Sequence, residues 1–316
     1  MKIELSQAVK LLREHDDFLI LCHSHPDGDT LGCGYGLLRA LRSMGKRANV
    51  RCEDPVPRKF SLSCDIPEVQ EFEPKYIVSV DVADEKLLGE SVQKEYGGKI
   101  NLAIDHHSKN AEFADYLYLD ASAAAACEII YQIVCELGVV ITKDIADCIF
   151  TGISTDTGCF RYSNTTPRTH YFAAKAMEYG ADAEKINKIM FETKTKQYAI
   201  LERMVLESLQ FYCDNKLAVI AITQDMYEKS GCDESECDGI ASLPRQIEGV
   251  LVGVTVKERA KGDYKISVRT CAPVDASQIC AKMGGGGHIR ASGCRLQGEL
   301  DFVIKTIIEN ASEFIK

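Results

Sequence analysis

Short apolar runs that stop abruptly at acids and imidazoles recur through the first half of this chain. They restrict its fold more than any other feature. Phe18-Leu-Ile-Leu-Cys22 runs into His23-Ser-His25-Pro-Asp27-Gly-Asp29. Tyr76-Ile-Val-Ser-Val80 runs into Asp81, and Ile100-Asn-Leu-Ala-Ile104 runs into Asp105-His106-His107. Asp156 sits in Thr151-Gly-Ile-Ser-Thr-Asp-Thr-Gly158. Apolar runs this short, bounded by turn residues, predict buried strands. In a parallel α/β sheet the carboxyl ends of the strands meet in one crevice, where such folds bind ligands. Carboxylates and imidazoles gathered there are the ligand set of hard or borderline divalent metals. Two such metals can drive hydrolysis of phosphate esters.

The intervening segments are helical in pattern. Ile3 to Arg13, Thr30 to Met44, Ser122 to Leu137 and Lys143 to Ser154 carry helical apolar spacing, with Gly45 and Gly138 as stops. Thr166-Pro167 opens a helix to Tyr179, with Thr as cap and Pro in the first turn. Ala48–Cys52 is a further strand. This β-α alternation predicts a parallel sheet flanked by helices over residues 1–190. A long helical pattern from Lys194 to Leu209 predicts a linker helix within 191–210. Beyond it, Leu217–Thr223, Val250–Lys257 and Tyr264–Arg269 are strand-like. Asp238–Ile247, Asp275–Met283 and Leu300–Ile315 are helix-like. Residues 211–316 are therefore expected to form a smaller mixed α/β domain, so the fold class is α/β throughout.

The 316 residues suffice for two cores, and 46% hydrophobic with 27% charged residues is ordinary for a globular protein. No apolar run is long enough to span a membrane, and the N-terminus lacks an export pattern, so a cytoplasmic location is expected. The net charge of −10 argues against binding long duplex nucleic acid, which needs a basic field. It leaves room for a small phosphorylated substrate. The fourteen cysteines contain no Cys-x-x-Cys spacing. They are expected to be reduced, mostly buried thiols that pack as small hydrophobes.

For the first loop alone, a solvated turn with Asp29 or Thr30 as helix cap explains the residues as well as a metal site does. Asp81 and Asp105-His106-His107 shift that balance. Several acids at neighbouring strand ends repel unless cations lie between them. Four of the seven histidines, His23, His25, His106 and His107, fall in these two loops. Asp156 by itself is an ordinary turn residue. Gly284-Gly-Gly-Gly-His288 has the freedom to form an anion-binding nest, and Arg269 ends a strand in the same region. In isolation, a flexible loop with a surface histidine explains that run equally well. Gly32-Cys-Gly34-Tyr-Gly36 lacks dinucleotide-fingerprint spacing and predicts close helix–sheet packing.

Taken in order, His23-x-x-Pro-Asp27-x-Asp29, Asp81, Asp105-His106-His107 and Asp156 resemble the DHH phosphoesterases. Gly284-Gly-Gly-Gly-His288 resembles the signature of the associated DHHA1 domain. The resemblance covers nearly the whole chain. In size and content it is most similar to the branch that acts as oligoribonuclease (nanoRNase) and as phosphatase of 3′-phosphoadenosine 5′-phosphate (pAp). The resemblance implies two divalent metal ions, with manganese the family inference. His23, Asp27 and Asp81 would hold one ion. Asp29, Asp81, His106 and Asp156 would hold the other, with Asp81 bridging. His107 would face the scissile phosphate, so Asp81 and His107 are the catalytic candidates. Arg269, Gly286, Gly287 and His288 would join His107 in binding substrate. A metal-activated hydroxide would attack phosphorus in line.

The implied partners are short RNA oligonucleotides or small phosphorylated nucleotides, with no membrane; a homodimer is suggested by base rates alone. A cyclic or linear dinucleotide phosphodiesterase is the main alternative. A family II pyrophosphatase is disfavoured because its Ser-Arg-Lys-Lys-type loop is missing. A RecJ-type exonuclease is generally larger. A non-catalytic nucleotide sensor is disfavoured by the intact ligand set.

Overall fold

The structure is a computed structural model that describes residues 1–234, 237 and 239–315. It divides into two compact units, Met1–Thr193 and Lys194–Lys316. Among the described residues no helix is long and apolar enough to cross a membrane.

The first unit is built on a parallel sheet of β1 (Phe18–Leu21), β2 (Ala48–Arg51), β3 (Tyr76–Val80), β4 (Leu102–Asp105) and β5 (Tyr116–Leu119). The spatial order is β2-β1-β3-β4-β5. Strand order therefore reverses between β1 and β3, which opens a crevice at their carboxyl ends. The helices are α1 (Leu5–Glu14), α2 (Gly28–Ser43), α3 (Arg58–Ser63), α4 (Glu90–Tyr96), α5 (Ala126–Glu136), α6 (Lys143–Asp156), α7 (Pro167–Glu178) and α8 (Ala183–Asn187). Alternate strand residues serve opposite faces. Phe18, Ile20, Val78 and Val80 pack with the buried sides of α1, α2, α5, α6 and α7. Leu19, Leu21, Ile77 and Ala103 pack with Leu88 and Val92 on a thinner layer. Helices on both faces follow from this two-sided burial.

Helix α2 comes very close to its neighbours, and two of its glycines permit this. A Cβ on Gly32 would lie 2.5 Å from the Cys148 carbonyl oxygen of α6, and one on Gly34 would lie 2.8 Å from Cys22 Sγ. Gly34 thus serves the expected helix–sheet contact, whereas Gly32 serves a helix–helix contact.

In the second unit a six-stranded mixed sheet runs β10-β11-β9-β8-β7-β6. Its strands are β6 (Gln210–Tyr212), β7 (Leu217–Ile222), β8 (Val252–Ala260), β9 (Asp263–Thr270), β10 (Gly286–His288) and β11 (Ala291–Gln297). Helices α9 (Lys196–Glu207), α10 (Gln224–Ser230), α11 (Ala276–Lys282) and α12 (Leu300–Ser312) complete it. Tyr198, Leu201 and Val205 of α9 pack with Ile220 and Ile222 of β7, so this helix shares the second unit's core.

Two expectations change here. The single helix over Asp238–Ile247 is replaced by 3-10 turns at Ile240–Ser242 and Pro244–Gln246, while Asp238 lies outside the described residues. Pro244 has no N–H to continue a helix across that point. The glycine run is also not wholly a loop, since Gly286–His288 pairs antiparallel with Ala291–Gly293. Glycine has little strand preference, so this pairing comes from the neighbouring backbone.

Candidate metal and phosphate site

The crevice is assembled from strand ends and helix starts. His23 follows β1, Asp81 follows β3, His106 and His107 follow β4, Asp27 and Asp29 bracket the start of α2, and Asp156 is the last residue of α6. Asp156 was expected in a turn, but it lies in the helix end, one residue before the C-cap Thr157. A pocket of about 220 Å³ is lined by His23, Ser24, Asp27, Asp81, Leu87, His106, His107 and Asp156. Typical drug-sized sites fall at about 300–1,000 Å³, so this space suits one end of a small ligand.

Local structure aims each side chain. Asp27 caps α2, its Oδ1 accepting from the N–H of Asp29 at 2.9 Å and of Thr30 at 3.1 Å. Asp29 is fully buried, and its carboxylate accepts from the N–H groups of Ala126 (2.6 Å) and Cys127 (3.0 Å) at the start of α5. The positive end of that helix favours the charge. Asp81 has φ of +58°, a left-handed conformation rare for a residue with a Cβ, and its N–H still donates to Ile104 O at 2.9 Å. Such strain persists where surrounding structure holds it, often at functional sites.

The two imidazoles that face the acids are oriented alike. His23 Nδ1 lies 2.8 Å from Ser24 O, and His106 Nδ1 lies 3.1 Å from Ala123 O. A carbonyl at Nδ1 fixes the proton there and turns the Nε2 lone pair toward a ligand, the usual arrangement for metal-binding histidines. His23 Nε2 stands 3.7 Å from both Asp27 Oδ1 and Asp81 Oδ2. His106 Nε2 stands 3.4 Å from Asp81 Oδ1, 3.4 Å from Asp156 Oδ2 and 3.9 Å from Asp29 Oδ2. The two oxygens of Asp81 therefore face different imidazoles, and Oδ1 is buried without a hydrogen-bond partner. Potential ligand atoms of His23, Asp27 and Asp81 lie within 4.8 Å of one another, as do those of Asp29, His106 and Asp156.

The electrostatics show an acid cluster short of counter-charge. Burial and the neighbouring Asp29 push Asp81 up to about 7. Burial, with Asp29 and Asp81, pushes Asp156 up to about 9, and burial raises Asp29 as well. Burial alone would lower His23, but Asp27 and Asp81 overcome it and raise it to about 9. His106 is likewise raised to about 10, by Asp81 and Asp29 against burial. Protons shared among buried acids and imidazoles do the work that cations would otherwise do. The donor set, the orphaned Asp81 oxygen and the fixed tautomers fit divalent cations well.

His107 is held differently. Its Nδ1 is 2.7 Å from Asp105 Oδ1, and Asn110 Nδ2 donates to Asp105 Oδ2 at 2.7 Å. The Asp105 hydrogen bond raises His107, and Asp105 is itself lowered, since His107 and Asn110 outweigh its burial. This leaves Nε2 of His107 as the nitrogen available to a ligand. Asp105, an acid at a strand end like Asp81, orients a histidine instead of joining the other acids. Sequence pattern does not single out Asn110, nor Asn164, whose Nδ2 donates to Ala124 O (3.0 Å) and Asp156 O (3.1 Å). Only its place in a turn-rich stretch distinguished Asn110, and that signal is common.

The remaining candidates lie in the second unit. Arg269 is half-buried at the end of β9, while Gly286, Gly287 and His288 form the exposed edge strand β10. Gly287 has φ of +144°, and a Cβ there would meet Ser292 Oγ at 2.7 Å, so only glycine fits. His288 pairs with Ala291, which pairs with Arg269, so the two stand on one face of the sheet.

A parallel sheet with acids and imidazoles at its switch point, followed along the chain by a mixed-sheet unit, is an α/β architecture whose crevice could hold divalent metal ions. Residues 17–153 match the DHH family, N-terminal domain, and residues 214–316 match the DHHA1 domain. The chain belongs to the DHH phosphoesterase family. It is 33% identical to the bifunctional oligoribonuclease and PAP phosphatase NrnA of Thermus thermophilus, covering 93% of this chain and 89% of that one. It is 27% identical to the protein of the same name from Bacillus subtilis, covering 94% and 93%. An exopolyphosphatase-related protein from Bacteroides fragilis shares the fold, with a TM-score of 0.88 at 24% identity over 98% of this chain and 95% of that one.

Proposed function

We propose that this chain hydrolyses short oligoribonucleotides and 3′-phosphoadenosine 5′-phosphate with two divalent metal ions, manganese foremost. The carrying observation is Asp81, whose two oxygens face separate imidazoles as a bridging carboxylate would. His23, Asp27 and Asp81 would hold one ion; Asp29, Asp81, His106 and Asp156 would hold the other. Bound there, the ions would polarise the phosphoryl group and make water a competent nucleophile near neutral pH. His107, kept proton-rich by Asp105, would donate to the departing oxygen. Arg269, Gly286, Gly287 and His288 would hold the phosphate that is not cleaved. The named activities of the Thermus and Bacillus relatives support this substrate class. The domain division at 1–190, 191–210 and 211–316 accompanies the proposal. So does a cytoplasmic setting, where the thiols stay reduced.

The test is a substrate panel with Mn²⁺: pAp, pApA, RNAs of two to five nucleotides, a cyclic dinucleotide and pyrophosphate. Mononucleotide release from the shortest RNAs, or phosphate release from pAp, is the expected result. Turnover of the cyclic dinucleotide alone would replace the proposal with a signalling phosphodiesterase. Metal binding with no turnover would favour a sensor.

A further inference from the structure

The cationic face of the second unit extends beyond Arg269 and His288. In the sheet register Gly253 pairs with Arg269, Arg269 with Ala291, and Ala291 with His288. Directly paired residues stand on one face, so these four form a row across four strands. The other face carries Val252, Val254 and Val268, which pack in the core with Ile279 and Ile307. A Cβ built on Gly253 would lie 2.8 Å from the backbone N of Arg245 and 3.0 Å from Cβ of Pro244. The Pro244–Gln246 turn is therefore pressed against the row, one strand from Arg269. Thr255, two residues along β8 on the same face, donates to Ala241 O at 3.5 Å and helps to hold the preceding turn.

Arg245 is exposed and Arg269 half-buried. Among the described residues neither guanidinium has an acidic side chain in ion-pair contact. Burial and then the nearby Arg245 charge lower Arg269 from its ordinary value. Two cations side by side without an acid repel, and an anion between them relieves the repulsion. Ala291, which lies between Arg269 and His288 in the row, is small enough to let one approach.

We propose that Arg245 is a third phosphate-binding side chain on this face, acting with Arg269 and His288 on the substrate phosphate that is not cleaved. This rests on the function proposed above. The ligand class is a nucleoside phosphate monoester, whose dianion suits planar guanidinium donors.

The experiment uses the full chain with Mn²⁺, its Arg245→Ala and Arg245→Lys variants, and Arg269→Ala as reference. Binding of 5′-AMP is measured by titration calorimetry. Steady-state kinetics are measured on pAp and on bis(p-nitrophenyl) phosphate, which carries no second phosphate. For Arg245→Ala the AMP dissociation constant and the pAp KM should each rise about tenfold, the scale of one lost charge-assisted hydrogen bond. The loss of kcat/KM should be about fivefold or more greater on pAp than on the diester. Arg245→Lys should recover part of it. A far-ultraviolet spectrum checks folding, and the exposed side chain makes the fold insensitive to its removal. Equal AMP affinity in the parent and Arg245→Ala overturns the proposal, as do equal proportional losses on both esters or no AMP binding by the parent. If the parent hydrolyses neither pAp nor short RNA, the proposed function fails instead. The AMP titration still decides the role of Arg245.

Discussion

The two units treat charge in opposite ways. The first buries acids and imidazoles at strand ends, where Asp29 is fully enclosed and Asp81 is 3% exposed. The second spreads arginines, glycines and a histidine over one sheet face and its exposed edge. Buried acids that crowd together must take up protons or cations, so the first unit's chemistry is fixed by its core. The second unit's groups are exposed or half-buried, so they meet a smaller desolvation cost than the enclosed acids of the first. A deep site is therefore sensitive to single-atom changes, while a shallow one loses affinity in smaller steps.

Asp81→Ala tests the deep site most severely. It should remove the shared carboxylate and cut kcat on any substrate by about 10³ or more, as happens when one member of a cooperating set is lost. Unchanged turnover by a folded variant would break the contrast between the units.

Arg269→Ala should raise KM for short phosphorylated substrates by about tenfold or more while sparing a generic diester. Equal losses on both would give Arg269 a role in chemistry and blur the distinction.

Asn110→Ala removes the amide that fixes Asp105, and should lower kcat by about tenfold through a poorly held His107. The loss should deepen toward high pH, because a less firmly held Asp105 raises His107 less. A flat ratio of variant to parent across pH 6–9 would argue that Asn110 only supports the fold.

Proton release upon metal addition sharpens the comparison without any substrate. Without metal, His23 at about 9, His106 at about 10 and Asp156 at about 9 hold protons at neutral pH, and Asp81 at about 7 is half protonated. Ligation requires those protons to leave. Mn²⁺ affinity should therefore rise with pH across 6–9. Calorimetry in buffers of different ionisation enthalpy should register more than one proton released. AMP binding to the second unit's face has no such cluster and should release fewer.

The smallest effect belongs to His288→Ala, a KM increase of a few-fold, since the residue is exposed on an edge strand.

Strand positions and the acids at their ends were visible in the sequence because both are local. Tyr76–Val80 coincides with β3, and an apolar run ending in an acid needs no distant information. Thr166-Pro167 opened α7 for the same reason, with Thr166 accepting from the Thr169 N–H. The spacing of His23, Asp27 and Asp29 around the start of α2 is likewise set by one turn. What only the tertiary structure decided depends on pairing across the chain. The order β2-β1-β3-β4-β5 places the end of β3 between those of β1 and β4, and so sets His23 against one Asp81 oxygen and His106, with His107 at 3.7 Å, against the other. The division of labour between His106 and His107 turns on Ala123 O meeting one ring and Asp105 the other. The strand at Gly286–His288 exists because β11 supplies its partners, and the closeness of Arg245 to Arg269 exists because Gly253 leaves room for a turn. Sequence fixes periodicity and turn chemistry within a few residues. Which distant backbones become neighbours is decided by the packing of whole elements, and that packing sets the charges each side chain meets.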